Sequence, residues 1–398
     1  MKKKKMAVRC VMAALLVWMT AMLCGCWDNA EINGRAFVLG FGADRGVQEG
    51  TYDFTFQLAV PVSGESESSG AMEYTNCTVT EQSPAAAIRL LERNMGRQVN
   101  FEQLNIIIIG EELSREPFLG LTEVFFRRAS VRRQSSIAVC KGNAKDFFAA
   151  QTTGSSIASD AAIALQSYDD KGGADAVTMN LHSLFKVLSN RDEFYLLRMA
   201  AVNPDTVGAD TVPDIQPNGD GRHMLAITGA AAYGRFGQYR GELDGREPEL
   251  LRLVAGRQIC GVMEAVNPEN GATMYYQLKQ SRCEVDCGVK GEVPHFTVKL
   301  HVICIPADIG NVYDGRDSVR SLTLAEKQIA DELTNELNRL AERSRVELGA
   351  SVLGLQDVIR QKMPDWYETH NDRWEELYAG SNIKIQVECT VNGGGMTR

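Results

Sequence analysis

The chain has 398 residues, 44% apolar and 23% charged, with a formal net charge of −9. That is the composition of a folded globular protein rather than a disordered or fibrous one, and at roughly 100–200 residues per domain it predicts two or three domains. Lys2, Lys3, Lys4, Lys5 and Arg9 are the only charges before Cys26, so removing those five takes −9 to −14 for the remainder; so acidic a body excludes nucleic-acid binding over a broad face and leaves attraction to anionic lipid to a local patch or an anchor.

The start of the chain reads as a secretory signal. Behind the basic residues, Val11 to Leu23 is an uncharged run of 13 residues. That length falls within the ~7–15 of a signal h-region and short of the ~20 that an uncleaved bilayer-spanning anchor needs. In Leu23-Cys24-Gly25-Cys26-Trp27-Asp28, the small Gly25 lets extended backbone lie close to a peptidase, and the thiol that follows is a lipid acceptor. Cys26 is thus expected to be the first mature residue, carrying a covalent diacylglycerol and no other cofactor. Two acyl chains on one thiol hold stably where a single chain is marginal. Trp27 and Asp28 would sit at headgroup level, where an indole ring is favoured, or serve only as processing context.

In the first half, Arg35 to Ala43 and Thr51 to Val62 are expected strands joined through Asp44-Arg45-Gly46. Tyr52, Phe54, Phe56, Leu58, Val60 and Val62 alternate with polar residues, the period of a half-buried strand. Gly40, Gly42 and Gly46 miss dinucleotide-loop spacing by one residue and precede a strand, so they are read as sites of close backbone approach. Ser63 to Ala71 is a polar loop. Ser83 then caps a helix with Pro84 in its first turn, Ala87, Leu90, Leu91 and Met95 inward, and Gly96 at its end. Leu104 to Ile109 is a continuous apolar run, expected of a strand covered on both faces. A helix through Leu119, Val124, Phe125 and Phe126, a strand at Ser136–Cys140 and a helix from Lys145 to Ala150 complete a mixed α/β order. Arg127, Arg128, Arg132 and Arg133 cluster between helix and strand, as a candidate contact for lipid headgroups or an acidic partner, or as a solvated turn.

Ser155 to Leu197 reads as mostly helical, broken at Gly172-Gly173. Asn203 to Gly221, with three prolines, marks a linker. Beyond it come strands Leu225–Tyr233 and Gln238–Leu243, then a strand with Cys283, Val285 and Cys287 on one face. The next strand places Phe296, Val298, Leu300, Val302 and Cys304 opposite His295 and His301. Three thiols and two histidines invite a zinc reading, but the alternation points them apart, so they are read as core thiols. Seven cysteines follow Cys26, an odd number that forbids complete internal pairing. Thr323 and Glu326 form a capping-box pattern opening a helix with Ile329, Leu333, Leu337, Leu340 and Leu348 near one face, broken at Gly349 and Gly354. Pro364 opens a last helix with Trp366, His370, Trp374 and Tyr378 in one stripe, a core pattern. Ile383 to Val391 is a closing strand.

No catalytic constellation emerges: the sequence has no His-Glu-x-x-His, no phosphate loop, no Gly-x-Ser-x-Gly elbow and no histidine spaced beside a nucleophile, so no enzyme is expected. The expectation is an α+β, mixed α/β, multi-domain lipoprotein with mixed β-sheets flanked by helices. Its parts are a signal peptide at 1–25, a domain at 26–205, a linker at 206–222 and a second domain at 223–398.

Several stretches resemble the spore germination protein C family, the GerAC-like lipoprotein subunits of nutrient germinant receptors. They are CWDNAEI at Cys26–Ile32, AFVLGFGAD at Ala36–Asp44, LNIIIIGEEL at Leu104–Leu113 and Lys141-Gly142-Asn143-Ala144-Lys145-Asp146. Ile227–Glu247 is similar to the opening of that family's C-terminal domain, and Val352–Val391, with Trp366 and Trp374, to its close. The tail departs from the family pattern at Asn392-Gly393-Gly394-Gly395. The resemblance implies an A subunit and a transporter-like B subunit as partners, the outer surface of the spore inner membrane as the location, and a role in nutrient-triggered germination. The competing reading is an extracytoplasmic solute-binding lipoprotein, which needs two similar lobes around a cleft.

Overall fold

The computed structural model describes residues 11–15, 34–61, 72–128, 130–150, 157–162, 179–189, 195–202, 225–234, 237–256, 261–266, 273–308 and 318–392, with the single residues 18, 164 and 271. The expected processing site with Cys26, Trp27 and Asp28, the loop Ser63–Ala71, Gly172-Gly173, the linker, Cys260 and Gly393–Gly395 lie outside the described residues. No described helix is long and apolar enough to cross a membrane.

Strands β1 (Arg35–Arg45) and β2 (Tyr52–Pro61) form the expected antiparallel hairpin. A third strand, β3 (Met72–Glu81), extends it. The sequence did not signal β3, because MEYTNCTVTE carries too little apolar alternation; partnership with β2 makes it a strand. Helix α1 (Pro84–Met95) begins where Ser83 accepts a hydrogen bond from the Ala86 N–H at 3.2 Å and ends at Gly96, φ 65°. Then follow β4 (Gln98–Asn100), β5 (Ile106–Ile109), the short α2 (Glu111–Ser114), α3 (Leu119–Arg127), β6 (Ser136–Cys140) and α4 (Ala144–Ala149). Between 155 and 197 the expected helix is corrected in part. The described residues there include β7 (Met179–Asn180), α5 (Leu181–Ser189) and the start of β8 (Tyr195–Val202). The leucines, methionine and alanines of β8 favour helix intrinsically, but sheet neighbours on both sides override that preference.

The first sheet has the order β10-β9-β8-β6-β5-β1-β2-β3, with β9 (Leu225–Tyr233) and β10 (Tyr239–Asp244) entering from beyond the 203–224 segment. Strands β1, β5, β6 and β8 are mutually parallel. Its centre is covered on both faces, and β5 shows how. Ile107 and Ile109 enter a core with Phe41, Phe54 and Phe125, while Ile106 and Ile108 enter another with Phe147 and Phe148 of α4. Two-sided burial is why this strand reads as an unbroken apolar run. Gly40 and Gly42 give way to Phe148: a Cβ at Gly40 would stand 2.3 Å from its ring, and one at Gly42 would stand 3.1 Å away. The close approach expected of these glycines is therefore to a helix crossing the strand.

The second sheet has the order β11-β12-β13-β14, from β11 (Val262–Val266), the long hairpin β12 (Thr273–Lys290) and β13 (Val293–Asp308), and β14 (Asn382–Val391) parallel to β13. Its apolar face packs on α6 (Glu247–Val254), α7 (Ser318–Val346), α8 (Leu355–Lys362), α9 (Pro364–His370) and α10 (Trp374–Ala379). The capping box is corrected. Helix α7 starts at Ser318, so Thr323 lies inside it, and Glu326 Oε1 accepts from the Val391 N–H at 2.8 Å, tying the helix to the last strand. The expected breaks hold, with Gly349 and Gly354 at φ 57° and 71°. The last helix is two helices with a 3-10 turn at Asn371–Arg373 between them. Its stripe divides into stacked pairs, Trp366 on His370 at 4.5 Å and Trp374 on Tyr378 at 5.6 Å, and Trp374 and Tyr378 are buried.

The two halves share a strand pair. Ala231 and Tyr233 of β9 enter the first core, while Ala230 and Ala232 of the same strand, with Leu243 of β10, enter the core of the second sheet. The segment 203–224 therefore joins two strands that pair with each other, β8 and β9.

Candidate functional site

In open α/β sheets ligands gather at the carboxyl ends of the parallel strands. Here those ends carry Asp44 on β1, Gly110 and Glu111 after β5, and Lys141 to Asn143 after β6. Asp44 is 5% exposed and accepts from the backbone N–H of Ala144 at 2.7 Å and of Lys145 at 2.9 Å. Burial pushes its carboxyl above the ordinary aspartate value, outweighing those two donors. Gly110 is required beside it, since a Cβ there would lie 2.0 Å from Asp44 Oδ1. Glu111 accepts from the Gly142 N–H at 2.9 Å and pairs with Arg115 at 2.8 Å.

Glu242, from β10, closes the cluster. It binds Lys141, accepts from the Tyr239 hydroxyl at 3.0 Å and pairs with Arg115 at 3.3 Å. Burial alone would raise its carboxyl; Lys141, Tyr239 and Arg115 hold it below the ordinary value. Burial and Glu242 push the Tyr239 hydroxyl up to about 12. Cys140, beneath the cluster, is buried, and desolvation with Asp44 and Glu111 nearby pushes its thiol well up, away from a reactive thiolate. The carboxylates named here each meet a cation or a backbone donor. The cluster's chemistry is that of a lock, fastening α4 and the edge strand β10 to the centre of the sheet.

The four arginines singled out in the sequence lie at the opposite, amino-end rim. Arg127 ends α3 and pairs with Glu123 at 2.6 Å. Arg128 lies 5.3 Å over the Phe101 ring, and Arg132 donates to Gln103 at 3.0 Å. Arg133 and Arg128 flank a cleft of about 160 Å³ floored by Phe125, Val131 and Leu181. The structure thus brings these four together, whereas Cys26, Trp27 and Asp28 lie outside the described residues. In the second sheet, Cys283 and Cys287 pack against the core and Cys304 is buried in it, its sulfur 3.7 Å from that of Cys389. His301 meets Thr390 on the other face at 2.9 Å. Among the described residues no three candidate metal ligands converge.

The sequence did not flag the carboxyl-end cluster, because its members are spread from Asp44 to Glu242 and only the sheet order brings them together. The local signals were a Gly-Glu pair after one strand and Lys-Gly-Asn after another.

Fold and clusters define an α+β, multi-domain body with two sheets, locked by internal ion pairs. Two family models match it in succession, the spore germination protein N-terminal domain over residues 28–201 and the "Spore germination B3/ GerAC like, C-terminal" domain over residues 228–395. The chain belongs to the GerAC-like spore germination family. It is 22% identical over 381 residues to spore germination protein B3 of Bacillus subtilis (strain 168), covering 95% of this chain and 96% of that one. It is also 22% identical to spore germination protein KC of the same organism, covering 98% and 97%. Its fold is similar to the crystal structure of the GerBC protein, with a TM-score of 0.57 at 18% identity over 88% of this chain and 96% of that chain.

Proposed function

We propose that this protein is the lipid-anchored C subunit of a nutrient germinant receptor, held by a diacylglyceryl group on Cys26 at the outer face of the spore inner membrane and acting there with A and B membrane subunits in germination. The observation that carries this reading is the match of both family domains, in order, across nearly the whole chain, alongside relatives named as spore germination proteins of the same length. A tether confines the body to the plane of its partners and raises their effective concentration, so weak contacts suffice. The internally paired cluster at the sheet's carboxyl end fits an assembly role better than turnover. A solute-binding protein would need two like lobes. The two sheets here differ in strand number and order, and β9 and β10 supply residues to the cores of both halves.

Two experiments test the reading. Deleting the gene and germinating spores on a panel of nutrients should abolish or slow the response to at least one; a normal response to all of them counts against it. Cys26→Ala should leave an unprocessed, unlipidated precursor, read by mass spectrometry of the membrane extract. A wild-type protein extracted with a bare N-terminus would remove the anchor from the proposal.

A further inference from the structure

We infer that the amino-end rim of the first sheet is the face that lies on an anionic bilayer, with Arg127, Arg132 and Arg133 reaching lipid phosphates and Phe185 at the contact. The inference rests on the anchored reading above and adds to it an orientation and a lipid chemistry.

Three observations converge. The first is local charge. From Arg127 to Arg133 the chain carries four arginines and no acid, in a body whose net charge from Cys26 onward is strongly negative. Lys186 of α5 joins them, because the Leu181 and His182 N–H groups donate to the Ser135 and Arg133 carbonyls, both at 2.9 Å, and pin the start of α5 to this rim. Glu102, Glu123 and Asp160 are nearby acids, Asp160 accepting from the Asn105 side chain at 3.5 Å. Among the described residues Glu123 is held by an exposed ion pair with Arg127, of a kind that contributes little and exchanges readily for another anion.

The second observation is apolar exposure beside that charge. Phe185 is 45% exposed, with its ring 5.6 Å from that of Phe126, and the cleft between Arg128 and Arg133 has an apolar floor. Basic side chains around exposed aromatic rings match a bilayer interface, where phosphates lie above acyl chains.

The third is where the tether enters. β1 runs parallel to β5 and β6, so its first residue, Arg35, lies at the same end of the sheet as the residues leading into β5 and β6. Cys26 and Arg35 are nine positions apart, with eight residues between them, and at full extension such a stretch reaches about 30 Å. A lipid on Cys26 therefore keeps this rim near the headgroups, and the acid-rich carboxyl-end cluster lies at the far end of the same strands.

The test uses the mature polypeptide, residues 26–398, with Cys26→Ala so that no lipid contributes. Sedimentation with vesicles of phosphatidylcholine doped with phosphatidylglycerol should show binding, lost in phosphatidylcholine alone and at high salt, where the Debye length falls to about 3 Å. Each basic residue near an anionic surface changes partition about fivefold, so Arg127→Gln, Arg132→Gln and Arg133→Gln together should weaken binding about a hundredfold. Arg128 is left in place because it packs on Phe101. A charge-matched control, Arg282→Gln, Lys299→Gln and Lys384→Gln on the open face of the second sheet, should leave binding intact, and thermal melts of both variants should match the parent. Phe185→Trp should shift its emission to the blue on doped vesicles only. No binding to doped vesicles, or equal losses from the two triple variants, overturns the inference, and in the latter case the attraction belongs to no particular face. Failure here leaves lipidation of Cys26 untouched, because that is read separately by mass.

Discussion

Gly40→Ala tests whether the glycines of β1 exist to seat Phe148. A Cβ at Gly40 would lie 2.3 Å from Phe148 Cε1 and 2.9 Å from Cζ. Carbon contacts are most favourable at about 3.5–4.0 Å, so the ring must retreat by more than about 1 Å. It has nowhere to go. The other side of the ring lies over Gly42, where an added Cβ would stand only 3.1 Å away, Phe147 packs on it at 5.4 Å, and Phe148 is 2% exposed. Overpacking of this kind costs about 1–3 kcal/mol, and the closed surroundings put Gly40→Ala toward the upper end. The assay is urea unfolding of residues 26–398 followed by far-ultraviolet circular dichroism, read as a midpoint shift at constant slope. Phe148→Leu supplies the second arm. With a smaller side chain the new methyl has room, so the double variant should recover about 1–2 kcal/mol relative to the sum of the singles. Equal cost of Gly40→Ala in both backgrounds would refute the seating argument and leave the register shift between Val38 and Gly40 as the reason for glycine there.

The carboxyl-end cluster gives two predictions of opposite sign in pH. Asp44 has a folded-state value raised above 3.8 by burial, so the folded chain holds that proton more tightly than the unfolded one, and its contribution to stability grows as pH falls toward 3.8. Asp44→Asn should lose about 1–3 kcal/mol by offering one acceptor where two N–H groups donate, and the gap to wild type should widen in acid melts. Glu242 is held below 4.5, so its stabilisation is present above 4.5 and disappears as pH falls through the lowered value. Glu242→Gln should cost stability at neutral pH and converge on wild type in acid; a gap that stays constant with pH would show that its ion pairs contribute nothing.

Much of the architecture was legible in local sequence because local physics sets it. Ser83, Pro84 and Gly96 bound their helix by backbone capping alone, and the thiols of β12 and β13 follow the two-residue alternation into the core. β5 announced its two-sided burial as an unbroken apolar run. The misses share one cause, dependence on a distant partner. β3 is polar and becomes a strand by pairing with β2. β8 has helix-forming residues and becomes a strand between β6 and β9. Thr323 and Glu326 form no capping box because their helix already runs from Ser318, and Glu326 instead accepts from the Val391 N–H, 65 residues away.

By itself the sequence determined the acidic body, the ends of several elements and the clustering of Arg127, Arg128, Arg132 and Arg133, all of which depend on neighbours in the chain. Tertiary structure alone decided that β9 and β10 cross the linker to complete the first sheet, that Asp44 and Glu242 meet in one locked cluster, and that the arginines share a rim with the start of β1. Strand order is set by which apolar faces cover one another across hundreds of residues, and no local pattern encodes that choice.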